Sequence, residues 1–350
     1  MLNRVTFILA AVCTLTLSTL AGCVKTYDPA PEHDGSISFG AGSLLLNDDA
    51  TKSGTLKTGT TFSEGDSFIV WSWHGGTSEH LTYGASDPVT LGSNNVWDYA
   101  PHQYWNWRNG SDFYDFLAVY PAGKDISHTA ATSDSPLLRA SVSYDATDDQ
   151  FDLMAAGLRR TDKSIGTVNL TFQHLLSAVN VKVTNSASSV NSVGAPLTIT
   201  LKSCKFNNLI SSAPITVTFD GTQLVTSADG GRGDTPVLGP TIPADTELDP
   251  GDSYPTSYQW DLMVPQNLNP EGSLLPTLEI TYNKGDATDV HEEVILKDVL
   301  NTVSGAAITQ WRAGYKYDYE IELRIGVGIM VRVTTTPWEV IEAETPGLMI

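Results

Sequence analysis

The chain has 350 residues, 41% hydrophobic and 17% charged, with 40 Asp and Glu against 20 Lys and Arg for a formal net charge of −20. That length exceeds what one hydrophobic core usually organises, so two domains are expected. The acidic balance excludes a nucleic-acid binder and a basic face docked on anionic lipid, and the scattered charge among aromatic and β-branched residues excludes wholesale disorder.

Residues 1–22 read as a signal peptide. Arg4 precedes the apolar run VTFILAAVCTLTLSTLAG, which Thr and Ser interrupt too often for a membrane span. Leu20-Ala21-Gly22-Cys23 looks like a bacterial lipobox, which places cleavage before Cys23 and an acyl chain such as palmitate on its thiol. Such a chain anchors a protein to the outer membrane without a spanning helix. Cys13 leaves with the signal peptide and Cys23 is acylated, so only Cys204 remains and no intrachain disulfide is expected. Residues 23–35 are polar with Pro and Gly and read as a tether.

An amino-terminal β-sandwich domain is expected over 36–184. It holds the most aromatic stretch of the chain, N95–P121, with three tryptophans and four tyrosines. Within it, DFYDFLAVYP is apolar on both parities, as in a strand covered on both faces. Trp105 and Trp107 share one face of YWNW, and Trp71 and Trp73 share one face of FIVWSWHGG. Tryptophan contributes most when buried, so core is the favoured reading; a ligand-stacking platform is the alternative. DATDDQFD lacks the Gly and Glu of a calcium loop and reads as a solvated acidic loop. DDQFDLMAAGLRR carries a hint of helix. GTVNLTF puts Val168, Leu170 and Phe172 on one face, whereas SAVNVKV uses the opposite parity, so residues 174–177 must break the two-residue period. His174, beside an apolar run, reads as a core histidine with one satisfied nitrogen.

The Ser/Asn-rich segment 184–196 is the expected domain boundary, and a second β-sandwich domain is expected over 195–350. Cys204 lies in the strand-like LTITLKSCKF and reads as a small core residue. Arg232-Gly233-Asp234 follows Gly230-Gly231 and reads as a turn rather than an adhesive tripeptide. YKYDYEIELRIGVGIMVRV is apolar or aromatic at every odd position from Tyr315 to Val333, with Gly326 and Gly328 at a corner. No catalytic motif is present, the seven histidines show no ligand spacing, and neither a metal nor another cofactor is expected.

Several phrases in order resemble the fimbrillin family of Bacteroidota surface lipoproteins, the type V pilin-like proteins. They are FSEGDSFIVW (62–71), YWNWRNGSDFYDFLAVYP (104–121), DLMAA (152–156), VNLTFQHLLSAVNVKV (168–183), LMVPQ (262–266), WRAGYKYDYEIEL (311–323) and Pro337-Trp338. The resemblance implies an all-β fold of two transthyretin-like β-sandwich domains in tandem. It implies a fimbrial (pilus) subunit, or a cell-surface relative, that assembles by donor-strand exchange and supports adhesion.

The partners so implied are other fimbrial subunits, the outer membrane through a lipid anchor, and surface receptors or glycans. Carried onto this sequence, the removable strand is SISFGAGSLLL, with Ile37, Phe39, Leu44, Leu45 and Leu46 as its apolar side chains. The processing loop behind it offers Lys52 and Lys57 but no arginine, so an Arg-specific protease has no site there. The tail after Trp338, with Val340, Ile341, Leu348, Met349 and Ile350, is the candidate donor strand; it spans roughly 40 Å if extended, and Pro346 interrupts its pairing. The alternative function is a glycan-binding surface lipoprotein whose exposed Trp71, Trp73, Trp105 and Trp107 stack on sugars.

Overall fold

The Tyr114–Tyr120 strand has all seven side chains buried, and the rest of the amino-terminal half is arranged to cover it. In this computed structural model the described residues are 35–41, 62–75, 88–107 and 112–338, apart from loop positions 133, 134, 136, 149, 234–236, 245, 273 and 287. Strand backbone is also described at 49–50, 55–56 and 80–83. The described residues form an all-β fold with a 3-10 turn at Leu296–Asp298.

Tyr114–Tyr120 pairs antiparallel with Ser67–His74 on one side and with Met154–Arg160 on the other. Val89–Leu91, Trp97–Asp98 and Gln173–His174 extend this central sheet. The helical hint at 148–160 is therefore corrected. Met154, Ala155 and Ala156 lie buried in a ladder that takes up their backbone groups, and tertiary pairing outweighs the helix propensity of Ala and Leu.

One face of the central sheet, with Phe68, Val70, Tyr114, Phe116 and Ala118, meets a layer made by Phe39–Ala41, Val168–Leu170 and the aromatic stretch 97–107. The opposite face, with Trp71, Trp73, Leu117 and Val119, meets an outer sheet of four strands in the order Leu224–Ala228, Ser212–Phe219, Leu138–Asp145, Ile126–Thr129. These two sheets approach closely at Gly157, where an added Cβ would lie 2.3 Å from the Phe219 ring. The one charged side chain inside the Tyr114–Tyr120 strand, Asp115, is 1% exposed. It accepts two hydrogen bonds from Arg159 on the neighbouring strand (2.7 and 2.6 Å), a fork that compensates the buried carboxylate.

The carboxy-terminal half is built on two more sheets. Tyr315–Arg324 lies between Ser177–Asn185, parallel, and Gly328–Pro337, antiparallel. Gly326 and Gly328 have φ of +85° and +127° and form the reversal between two strands of one sheet. Ile199–Asn207, Thr277–Asn283 and Asp289–Ile295 form the facing sheet. Phe206, Trp311 and Tyr319 fill the space between, and the Trp311 indole N–H donates to the Tyr319 hydroxyl (3.0 Å).

The parity break at 174–177 is a change of sheet. Gln173–His174 pairs with Met154–Ala155, and Ser177 opens the strand beside Tyr315. His174 donates its Nδ1–H to the Asp152 carboxylate (2.9 Å) and stacks on Trp338 at 3.8 Å. Strand pairing crosses between the expected 36–184 and 195–350. Ser177–Asn185 belongs to a carboxy-terminal sheet, and Leu138–Asp145 pairs with Ser212–Phe219 along its whole length. The Ser/Asn-rich segment connects two strands of the same half, with Val190 bridged to Pro196. Its composition marks a surface turn, which needs the same residues as a linker.

Gly157→Ala is expected to lower stability by about 1–3 kcal/mol, because the new methyl overlaps the Phe219 ring. Gly123→Ala, with open space around its Cβ, is the neutral control. Denaturant midpoints of the two variants check this.

Candidate functional site

Residues 36–39 alternate. Ser36 and Ser38 face solvent, whereas Ile37 and Phe39 are 1% and 4% exposed. The alternation turns two apolar side chains inward over a short length, and the backbone is paired along both edges. On one edge the Ile37 N–H donates to the Gln103 carbonyl (2.8 Å), the Trp105 N–H donates to the Gly35 carbonyl (2.9 Å), and Ser36 bridges Tyr104 in antiparallel sense. On the other edge Phe39–Ala41 runs parallel to Val168–Leu170, and the Val168 N–H donates to the Ser38 carbonyl (2.8 Å).

The floor beneath is aromatic. The Phe39 ring meets Phe68 and Phe116 edge-on at 6.3 and 6.2 Å and lies tilted against Tyr99 at 5.7 Å. Such offset geometries favour aromatic pairs. Tyr99 joins floor to backbone. Its hydroxyl donates to the Ile37 carbonyl (2.8 Å) and accepts from the Gln103 N–H (3.1 Å). Burial pushes this hydroxyl up to about 12, because the charged phenolate is poorly solvated there.

Ile37 and Phe39 were legible as core residues. Tyr99, Gln103, Trp105 and Val168, which hold them, were not singled out for that task. Three of them make the contact through backbone groups, which carry no sequence signature. The alternation of Ser36–Phe39 is the signal that a partner strand exists. Leu44, Leu45, Leu46, Lys52, Lys57 and Cys23 lie outside the described residues, as do Val340, Ile341, Leu348, Met349 and Ile350.

The tryptophans do not form an exposed platform: their burial agrees with the favoured core reading and not with the stacking alternative. Trp71, Trp73, Trp105 and Trp107 are 5%, 5%, 0% and 8% exposed. Trp105 and Trp107 do share a face, stacked at 5.6 Å, but that face is inward against Tyr114. The Trp107 indole N–H donates to the Ser164 carbonyl (3.1 Å). Trp71 stacks on His128 at 4.6 Å, and Trp73 lies edge-on to Phe113. Indoles this large stabilise more in a core than in water.

Arg232 is half-buried and donates to the carbonyls of Asn208 (2.9 Å) and Asn267, which ties it to the body of the protein. Asp234 lies outside the described residues. Cys204 is buried among core side chains.

Two outcomes follow from this geometry. Phe39→Ala should cost about 3–5 kcal/mol in equilibrium unfolding, since it removes an aromatic ring from a filled core. Tyr99 should add alkaline sensitivity. Its folded pKa lies above that of the unfolded chain, so its contribution is whole below about pH 10 and is lost as pH rises through about 12. Tyr99→Phe should flatten the fall of stability between those values, measured by denaturation across the alkaline range.

Comparison with known proteins gives a family. The fimbrillin-like family model matches residues 54–338. No curated protein matches the sequence. Among solved structures, a Bacteroides uniformis protein assigned to cell adhesion is 17% identical, covers 87% of this chain and 100% of its own, with a TM-score of 0.45. A similar assignment from Parabacteroides distasonis is 11% identical over 87% of this chain and 96% of its own, with a TM-score of 0.46. The tip fimbrial protein Mfa3 of Porphyromonas gingivalis is 10% identical over 79% of this chain and 95% of its own, with a TM-score of 0.39. With a match spanning most of its length, this chain belongs to the fimbrillin-like family.

Proposed function

We propose that this chain is a fimbrial subunit, or a fimbrillin-like protein of the cell surface, that serves adhesion and joins its neighbours by exchanging the strand at residues 35–41. The observation that carries the reading is the double pairing of that segment over an aromatic floor. Its removal would leave the N–H groups of Trp105 and Val168 and the Gln103 carbonyl without their present partners, and would uncover Phe68, Tyr99 and Phe116. Unpaired backbone beside bare core recruits another extended strand, whose main chain restores the hydrogen bonds and whose alternate side chains refill the pockets.

In this reading Cys23 carries the lipid that holds the precursor at the outer membrane. The loop with Lys52 and Lys57 is the point of release, and the tail with Val340, Ile341, Leu348, Met349 and Ile350 is the incoming strand. The absence of arginine from the loop calls for a lysine-tolerant protease, or for a subunit that keeps its first strand and stays anchored. A shaft subunit and an anchor subunit therefore differ at their amino termini.

Mass spectrometry of the protein recovered from assembled surface fibres tests this. A new amino terminus after Lys52 or Lys57 is the expected result. An acylated Cys23 on every assembled copy would overturn strand release.

A further inference from the structure

We infer that the open edge of the Leu224–Ala228 strand is an association surface, on which a second copy of this chain pairs antiparallel about a two-fold axis at Thr226. The strand is hydrogen-bonded to Ser212–Phe219 on one side, and among the described residues no strand pairs with its other side. The Asp220 N–H donates to the Gln223 carbonyl at the turn (3.4 Å). Antiparallel alternation then aims residues 225 and 227 at the partner strand, and the N–H and C=O of Leu224, Thr226 and Ala228 at the open edge.

Natural sheets guard such edges with charge, Pro or bulges. The edge strand Asp289–Ile295 follows that rule, carrying Asp289, Glu292 and Glu293, with Glu292 on its more buried face. Leu-Val-Thr-Ser-Ala has no charged residue and no Pro. Its sheet also presents an outward face rich in hydroxyls, with Ser141, Ser143, Thr216, Thr218 and Ser227 beside the exposed Val225, and with the charges Arg139 and Asp145 two strands away from the open edge. The outer face of the carboxy-terminal sheet is different, with Lys182, Glu320 and Arg332 in a row across three strands.

The occupant follows from the self-complementary register of the edge, which the charge of the chain confines to this place. At −20, two copies repel over most of their surface, and an uncharged edge is where they approach at least cost. Centred on Thr226, the pairing sets Leu224 against Ala228, Val225 against Ser227, and Asp229 against Gln223, so no like charges face each other. The same patch serves both copies, and the contact closes as a dimer. A contact this short lies at the small end of stable interfaces, so dissociation on the order of micromolar or weaker is expected.

Sedimentation equilibrium of the purified full-length protein tests this over micromolar to submillimolar concentrations. A monomer–dimer equilibrium is expected. Val225→Lys charges the edge, and Thr226→Pro removes an N–H that faces only the open side. Each should give monomer with a thermal midpoint close to that of the parent. Ile295→Lys on the guarded edge should leave the dimer intact. Monomer at every concentration, or a dimer that survives both Val225→Lys and Thr226→Pro, would overturn the inference. The edge lies in a different sheet from residues 35–41, so neither result bears on strand exchange there.

Discussion

A strand whose seven side chains are all buried needs a cover on each face, and Tyr114–Tyr120 imposes that requirement on the whole amino-terminal half. One cover comes from the first described residues together with Val168–Leu170. The other comes from strands on both sides of the Ser/Asn-rich turn, because Leu138–Asp145 is completed by Ser212–Phe219. The two halves of the chain are therefore joined through a shared sheet. Asp115 fits the same constraint: in a doubly covered strand its carboxylate is tolerable only with the Arg159 fork beside it.

The amino-terminal cover lies far in sequence from what it touches. Ser38 and Thr167 meet across 129 residues, and closing so long a loop costs chain entropy before any contact is made. Short side chains outside and large ones inside let a few residues offset that cost. The parallel pairing to Val168–Leu170 and the antiparallel bridge to Tyr104 make the segment an interior strand over a very short length. A segment of this kind is separable in a way the central strand is not. Its covalent link to the body lies to one side, and its contacts are the backbone bonds and alternate pockets that any extended chain of suitable pattern can reproduce.

Charge is distributed by the same logic. Carboxylates and lysines line the outer face of the sheet holding Tyr315–Arg324, and carboxylates line the edge strand Asp289–Ile295 of the sheet that faces it, where they oppose unintended pairing. The uncharged edge of the outer sheet, beside a hydroxyl-rich face that also carries Arg139 and Asp145, stands apart from that pattern, in a region that both halves of the chain build.

Alternation along the chain established the all-β class, the double burial of DFYDFLAVYP, the inward turn of Ile37 and Phe39, and the single-nitrogen partner of His174. Each depends on neighbours in sequence and on hydrophobicity alone. The helical hint at 148–160 failed because ladder hydrogen bonds to Tyr114–Tyr120 decide that segment, and those come from elsewhere in the chain. Ser and Asn mark a turn and a linker alike, so composition alone did not tell how 184–196 joins its flanking strands. The direction in which the tryptophans point was also hidden. A two-residue period says which residues share a face, and only packing says whether that face meets water or another sheet. Local pattern thus determined what kind of element each stretch becomes, while the tertiary structure decided its partners, since pairing and burial are made between residues that the sequence holds far apart.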